Sequence, residues 1–196
     1  LKSAFSIGAG VGYQISRHFR TDLTLDYWFK TKFRGSTSDD GSSGCGGPGV
    51  PCESVDRTKM SALLLLANAY VDLGTWNGIT PYVGAGIGGA HVKWEDLEND
   101  ANVGFATHKG TKSWRFAYAL MAGASYCLTD RMVLDAGYRF SRIEGGRMFE
   151  RNGAGPGFDK GFNTHEVRAG LRYNFGGGAN HCYQPEVVAY EPPEPI

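Results

Sequence analysis

FAYALMAGASYCLTDRMVLDAGYRF, residues 116–140, decides the fold. In its first half Phe116, Tyr118, Leu120, Ala122, Ala124 and Tyr126 occupy every second position. After a turn at Thr129 to Arg131 the pattern resumes with Met132, Leu134, Ala136, Tyr138 and Phe140. A period of two belongs to a strand, whose successive side chains point to opposite faces; a helix would mix the two sets. The alternate set holds Arg115, Asp135 and Arg139, so one face of this hairpin is apolar and the other carries charge.

The same alternation extends in both directions. Phe5, Ile7, Ala9, Val11, Tyr13 and Ile15 lie opposite Ser6, Gly8, Gly10, Gly12 and Gln14, and Leu23, Leu25, Tyr27 and Phe29 lie opposite Asp22, Thr24, Asp26, Trp28 and Lys30. Leu63 to Leu73 on odd numbers face away from Leu64, Leu66, Asn68, Tyr70 and Asp72, and Val83, Ala85 and Ile87 from Tyr82, Gly84, Gly86 and Gly88. A last strand carries Val167, Ala169, Leu171, Tyr173 and Phe175. Seven strands are therefore expected. Roughly three dozen outward positions hold no Asp, Glu, Lys or Arg, where the 20% average would place roughly seven. The other face holds Arg20, Asp22, Asp26, Lys30, Asp72, Arg115, Asp135, Arg139, Glu166, Arg168 and Arg172.

An apolar outside around an ionic inside is stable in lipid, where a closed barrel pairs every backbone N–H and C=O without leaving edges. A soluble two-sheet sandwich would also bury one face, but its solvent face would then carry Trp28, Tyr70, Tyr82, Leu64 and Leu66. Composition agrees with the barrel. The 196 residues contain 20 Lys+Arg against 20 Asp+Glu, which speaks against a nucleic-acid binder, and 29 Gly with 13% aromatics but only 8 Pro. The longest apolar stretch, Met60 to Ala67 with Ser61 inside it, falls far short of the ~20 residues of a spanning helix. No export signal is legible, because the chain opens directly in patterned sequence.

Short connections at Ser16 to His18, Gly74 to Gly78 and Thr129 to Arg131 alternate with long ones at 35–58, 95–111 and 145–161. Outer-membrane barrels have short periplasmic turns and long extracellular loops. The first strand then descends, although such barrels have an even strand number with both termini periplasmic. One ascending strand is expected before Leu1, the alternative being a sheet completed by another chain. Residues 1–175 form the barrel, and 176–196 form an acidic, Pro-rich periplasmic tail that either binds a partner or is simply solvated.

The segments TPYVGAGIGGAHVKW (80–94), ALMAGASYCLTDRMVLDAGYRF (119–140) and HEVRAGLRYNF (165–175) resemble the outer-membrane β-barrel family that includes opacity-type porins and the barrel of outer membrane protein A. The resemblance implies an all-β, antiparallel, eight-stranded monomeric barrel in a Gram-negative outer membrane, with structural, adhesive or surface-antigen roles. Leu171, Tyr173 and the terminal Phe175 resemble the recognition signal of the barrel-assembly machinery. That machinery, outer-membrane lipid and lipopolysaccharide, and a periplasmic or cell-surface protein are the expected partners.

Eight strands enclose an interior that side chains can fill, so a channel does not follow from kinship to porins. Six basic and five acidic inward residues are nearly balanced, which suggests ion pairs acting as a plug, with a selectivity filter as the alternative. The glycine rows leave room for Trp28, Tyr70, Tyr82 and the arginines. Gly84, Gly86 and Gly89 satisfy G-x-G-x-x-G, but no helix follows to make a nucleotide site. His18, His91, His108, His165 and His181 lack metalloprotease spacing; His165, at the rim, is the best catalytic candidate, yet it points away from neighbouring Glu166. No catalytic, cofactor or metal site is expected. A non-enzymatic barrel for envelope integrity and surface interaction is the leading reading, ahead of a small-solute channel and a lipid-modifying enzyme.

Cys45 and Cys52, closely spaced in a long loop in an oxidising setting, are expected to form a disulfide. Cys127 and Cys182 should lie at the same barrel end, where they either bridge or leave Cys127 a buried thiol. Tyr13, Phe19, Tyr126 and Tyr173 below, with Phe29, Trp114 and Phe140 above, fit interfacial girdles, although ordinary sheet propensity would also place them there.

Overall fold

Alternation over nearly the whole chain leaves the backbone one way to satisfy itself, which is strand against strand. The computed structural model describes residues 5–39, 52–101, 104–151, 155–176 and 182, and among these there are strands and turns but no helix. In chain order the strands are β1 (Ser6–Gln14), β2 (Phe19–Asp39), β3 (Cys52–Asp72), β4 (Ile79–Trp94), β5 (Leu97–Ala101), β6 (Gly104–Gly110), β7 (Lys112–Cys127), β8 (Met132–Ile143), β9 (Gly146–Arg151), β10 (Gly155–Asp159) and β11 (Phe162–Tyr173). Seven of them form the wall in the order β1-β2-β3-β4-β7-β8-β11, each antiparallel to the next.

The wall is inside-out relative to a soluble sheet. Leu25, Ile87 and Leu171 are 45%, 63% and 61% exposed on its convex side, whereas Asp26 and Arg139 on the concave side are each 1% exposed. Glycines on the concave side make space for their neighbours. A Cβ at Gly84 would collide with the Tyr70 ring, and one at Gly123 or Gly137 would lie 2.6 or 2.7 Å from the Tyr82 hydroxyl.

Among the described residues no ladder joins β1 to β11. The two edges communicate through a side chain, the Ser6 hydroxyl donating to Glu166 Oε1 at 3.3 Å.

The long connections differ from the loops expected at 35–58, 95–111 and 145–161. β2 and β3 stay paired as far as Asp39 and Cys52, so each is 21 residues long, about twice the 9–11 that cross a bilayer. β5 and β6 form a hairpin laid along β3, with Arg57 opposite Glu98 and Ser54 opposite Ala101. β9 and β10 form another, attached to β6 through Lys109–Glu150 and Gly110–Phe149. These strands form a crown above the wall. They carry no sustained period-two signal because they are short, five to seven residues each, and bury only isolated residues such as Leu97 and Phe149.

Candidate functional site

The enclosed face of the wall is filled in three layers. At the end with the short turns, Arg20 Nε donates to Asp72 Oδ1 at 3.1 Å, and the guanidinium lies over Tyr70 and Tyr82, 4.1 and 4.5 Å from their ring centres. Gln14 donates to the other Asp72 oxygen at 3.3 Å. Asp135 accepts from Ser125 Oγ at 2.5 Å and forms a looser 3.6 Å ion pair with Arg172.

The middle layer crosses the enclosed space. Arg139 on β8 sends one nitrogen to Asp26 Oδ2 on β2 at 2.5 Å and another to Glu166 Oε2 on β11 at 2.6 Å. Arg168 grips the same Asp26 through both terminal nitrogens, at 2.6 and 3.0 Å. Two carboxylates thus face two guanidinium groups. Such charge-assisted, partly bidentate contacts are the strong kind, and burial makes each partner costly to remove. Gly8 is the β1 residue paired with Asp26, and a Cβ there would overlap Asp26 Oδ1, so the glycine is what admits the carboxylate. Asp22 has a neutral partner instead, accepting from Asn68 Nδ2 at 2.7 Å.

The third layer, toward the crown, is apolar. Trp28, Leu64, Leu66, Val92, Trp94 and Ile143 belong to one buried cluster that also takes in Phe149 of β9. Phe33 and Phe149 stand edge-on to Trp94, with ring centres 5.9 and 5.7 Å away. Sequence reasoning did not single this layer out. Its signal was present in the parity of Ala90, Val92 and Trp94, which continues the inward positions of β4 with apolar residues.

Of the eleven residues expected to form the luminal network, two lie elsewhere. β2 and β3 lose register between Trp28 and Thr31, and this bulge turns Lys30 out of the lumen to pair with Glu95 beside the wall. Arg115 points inward but upward, where it pairs with Asp159 of β10 at 2.6 Å and donates to the Arg147 carbonyl at 3.0 Å. It fastens the crown to the wall. Cys127 and Cys182 form a disulfide with Cα atoms 5.7 Å apart, tying the segment after β11 to the short-turn end. The Cys45–Cys52 pairing falls outside the described residues. Leu171, Tyr173 and Phe175 are exposed on the convex face and beyond the end of β11. His165 is exposed too, its Nδ1 against the Tyr138 hydroxyl and its ring 5.3 Å from Phe140. Among the described residues no group of three or more His, Cys, Asp or Glu side chains could hold a metal.

An antiparallel wall that is apolar outside and ionic inside defines an integral membrane β-barrel. Residues 1–175 match the family described as outer membrane protein beta-barrel domain, and the chain belongs to that family. It is 42% identical over 199 residues to an uncharacterized protein of Brucella abortus (strain 2308), covering 89% of this chain and 70% of that one. It is 30% identical over 141 residues to outer membrane protein PagN of Salmonella typhimurium, covering 71% and 57% of the two chains. A Rickettsia bellii protein (strain RML369-C) whose given name proposes it as an adhesin is 30% identical over 181 residues, covering 88% and 75%. The crystal structure of Neisserial surface protein A superposes with a TM-score of 0.50 at 19% identity, covering 88% of this chain and 84% of that one, which speaks to the fold.

Proposed function

We propose that this protein is a non-enzymatic barrel with a charge-plugged lumen that contributes to envelope integrity and presents its crown to other surfaces. In this reading the short turns and the tail held by Cys182 are periplasmic and the crown is extracellular, as the lengths of the connections favour. The observation that carries it is the Asp26–Arg139–Glu166–Arg168 cluster, which spans the enclosed space beneath an apolar layer. A hydrated ion would have to break paired charges and then cross a dry zone. The kinship with a proposed adhesin supports surface contact as the role of the crown. The gap between β1 and β11 is the seat of a further strand, because each unpaired backbone group in hydrocarbon costs several kcal/mol. Planar-bilayer recording of the purified protein tests the plug. A silent baseline is expected, and stable, uniform conductance steps from the unmodified chain would overturn it.

A further inference from the structure

Four lysines follow one another around the convex wall where it leaves the apolar band. Lys32 on β2 stands directly opposite Lys59 on β3, and Lys93 on β4 directly opposite Lys112 on β7. Lys93 pairs with Ser61, two residues from Lys59, so the two couples are diagonal neighbours. All four are exposed. The bulge brings Lys30 to the same surface, where it pairs with Glu95. Glu95 is held below the usual carboxylate range by the Lys30 hydrogen bond and by the charges of Lys30, Lys59 and Lys93. One row further out, Arg34 stands opposite Arg57, which has Glu98 on its other side.

Like charges directly opposite one another weaken a ladder. Two such couples in succession, with Glu95 engaged by Lys30 and Asp96 by the Gly110 N–H, call for an external counter-charge. Their depth indicates which. On the same face, Leu63, His91 and Trp114 sit one pleat repeat nearer the apolar band than Ser61, Lys93 and Lys112. Trp114 is exposed, with the His91 ring 5.2 Å from it. Two residues climb about 6.8 Å along a strand, or roughly 5 Å along the membrane normal at a tilt of about 35–45°. That step leads from the hydrocarbon into the headgroup layer, which is about 5–8 Å thick on each side. Lysine suits this depth, since its stem lies along apolar surface while the ammonium reaches polar groups.

We propose that Lys32, Lys59, Lys93 and Lys112 form a docking row for the phosphates of phosphorylated glycolipid in the outer leaflet. This rests on the crown being extracellular. The test uses the full chain, folded in detergent, with bisphosphorylated lipid A as probe, and reads retained lipid by native mass spectrometry. Dephosphorylated lipid A, a heparin oligosaccharide and inorganic phosphate are run alongside. Dephosphorylation should weaken retention at least about tenfold, and so should Lys→Gln at all four positions, whereas Lys→Arg should preserve it. Equal retention of both lipids, or no loss in the Gln variant, overturns the proposal. So does heparin binding without lipid A binding, which would make the row a reader of extracellular polyanions, or displacement by equimolar inorganic phosphate. Heat-modifiable gel mobility checks folding, and Lys59→Gln with Lys93→Gln replaces the fourfold variant if that one does not fold. Labelling of Gly104→Cys on intact cells reports orientation separately: an unlabelled crown overturns the outer-leaflet placement even where lipid A binds in detergent.

Discussion

Replacing Arg139 by Met removes the cation that joins three strands while keeping much of its volume. Asp26 retains both terminal nitrogens of Arg168, at 2.6 and 3.0 Å, so its charge stays compensated. Among the described residues, Glu166 retains the Ser6 hydroxyl at 3.3 Å as its hydrogen-bond donor, with Arg168 acting on it only at longer range. The variant therefore leaves one uncompensated carboxylate, not two, and the expected loss sits at the low end of the range for breaking a buried pair, about 3 kcal/mol. That is roughly a hundredfold in the unfolding equilibrium. Adding Glu166→Gln removes the stranded charge and should return about 2 kcal/mol, leaving Asp26 and Arg168 as a balanced pair. Urea unfolding in phospholipid vesicles, followed by tryptophan fluorescence, measures both variants and the Glu166→Gln single variant that closes the cycle. A loss under about 1 kcal/mol for Arg139→Met, or additive effects of the two substitutions, would refute the view that these groups share one charge balance.

Leu25→Arg places a charge on the convex wall, where a soluble sheet would tolerate it; in vesicles it should cost about 2–4 kcal/mol near the midplane, read by the same urea titration. Gly8→Ala pushes a methyl group into Asp26 Oδ1, which its arginines hold in place, and should cost about 1–3 kcal/mol, seen as a lower temperature for the heat-modified gel shift.

The wall was legible because a bilayer imposes its contrast on every second residue, and a stretch such as 116–140 has one reading. Parity says that a side chain points inward; it does not say what it meets. Asp26 and Arg139 are 113 positions apart, and their meeting depends on register and curvature that no local pattern encodes. Parity also fails wherever a bulge inserts a residue, which is why Lys30 reads as luminal in the sequence and lies outside in the structure. The crown was illegible for a different reason. Strands such as β5 and β9 are five and six residues long and bury only isolated residues, such as Leu97 and Phe149, among charged ones, so no alternation is sustained and only their pairing to β3 and β6 reveals them.

The two kinds of filling follow from what covers each end. Toward the crown, Arg115 holds β10 through Asp159, and β9 delivers Phe149 onto Trp94, so the upper interior is roofed and can be dry. At the other end the described connections are short turns, and the interior there is filled by groups that tolerate water, such as Arg20, Asp72 and Arg172. The Asp26 cluster lies between the two. An apolar layer on one side lowers the local dielectric and strengthens its ion pairs, while the same dryness raises the cost of leaving any of them unpaired. The roof and the charge cluster therefore act together, and loosening the crown should weaken the pairs beneath it even though no charged group is touched.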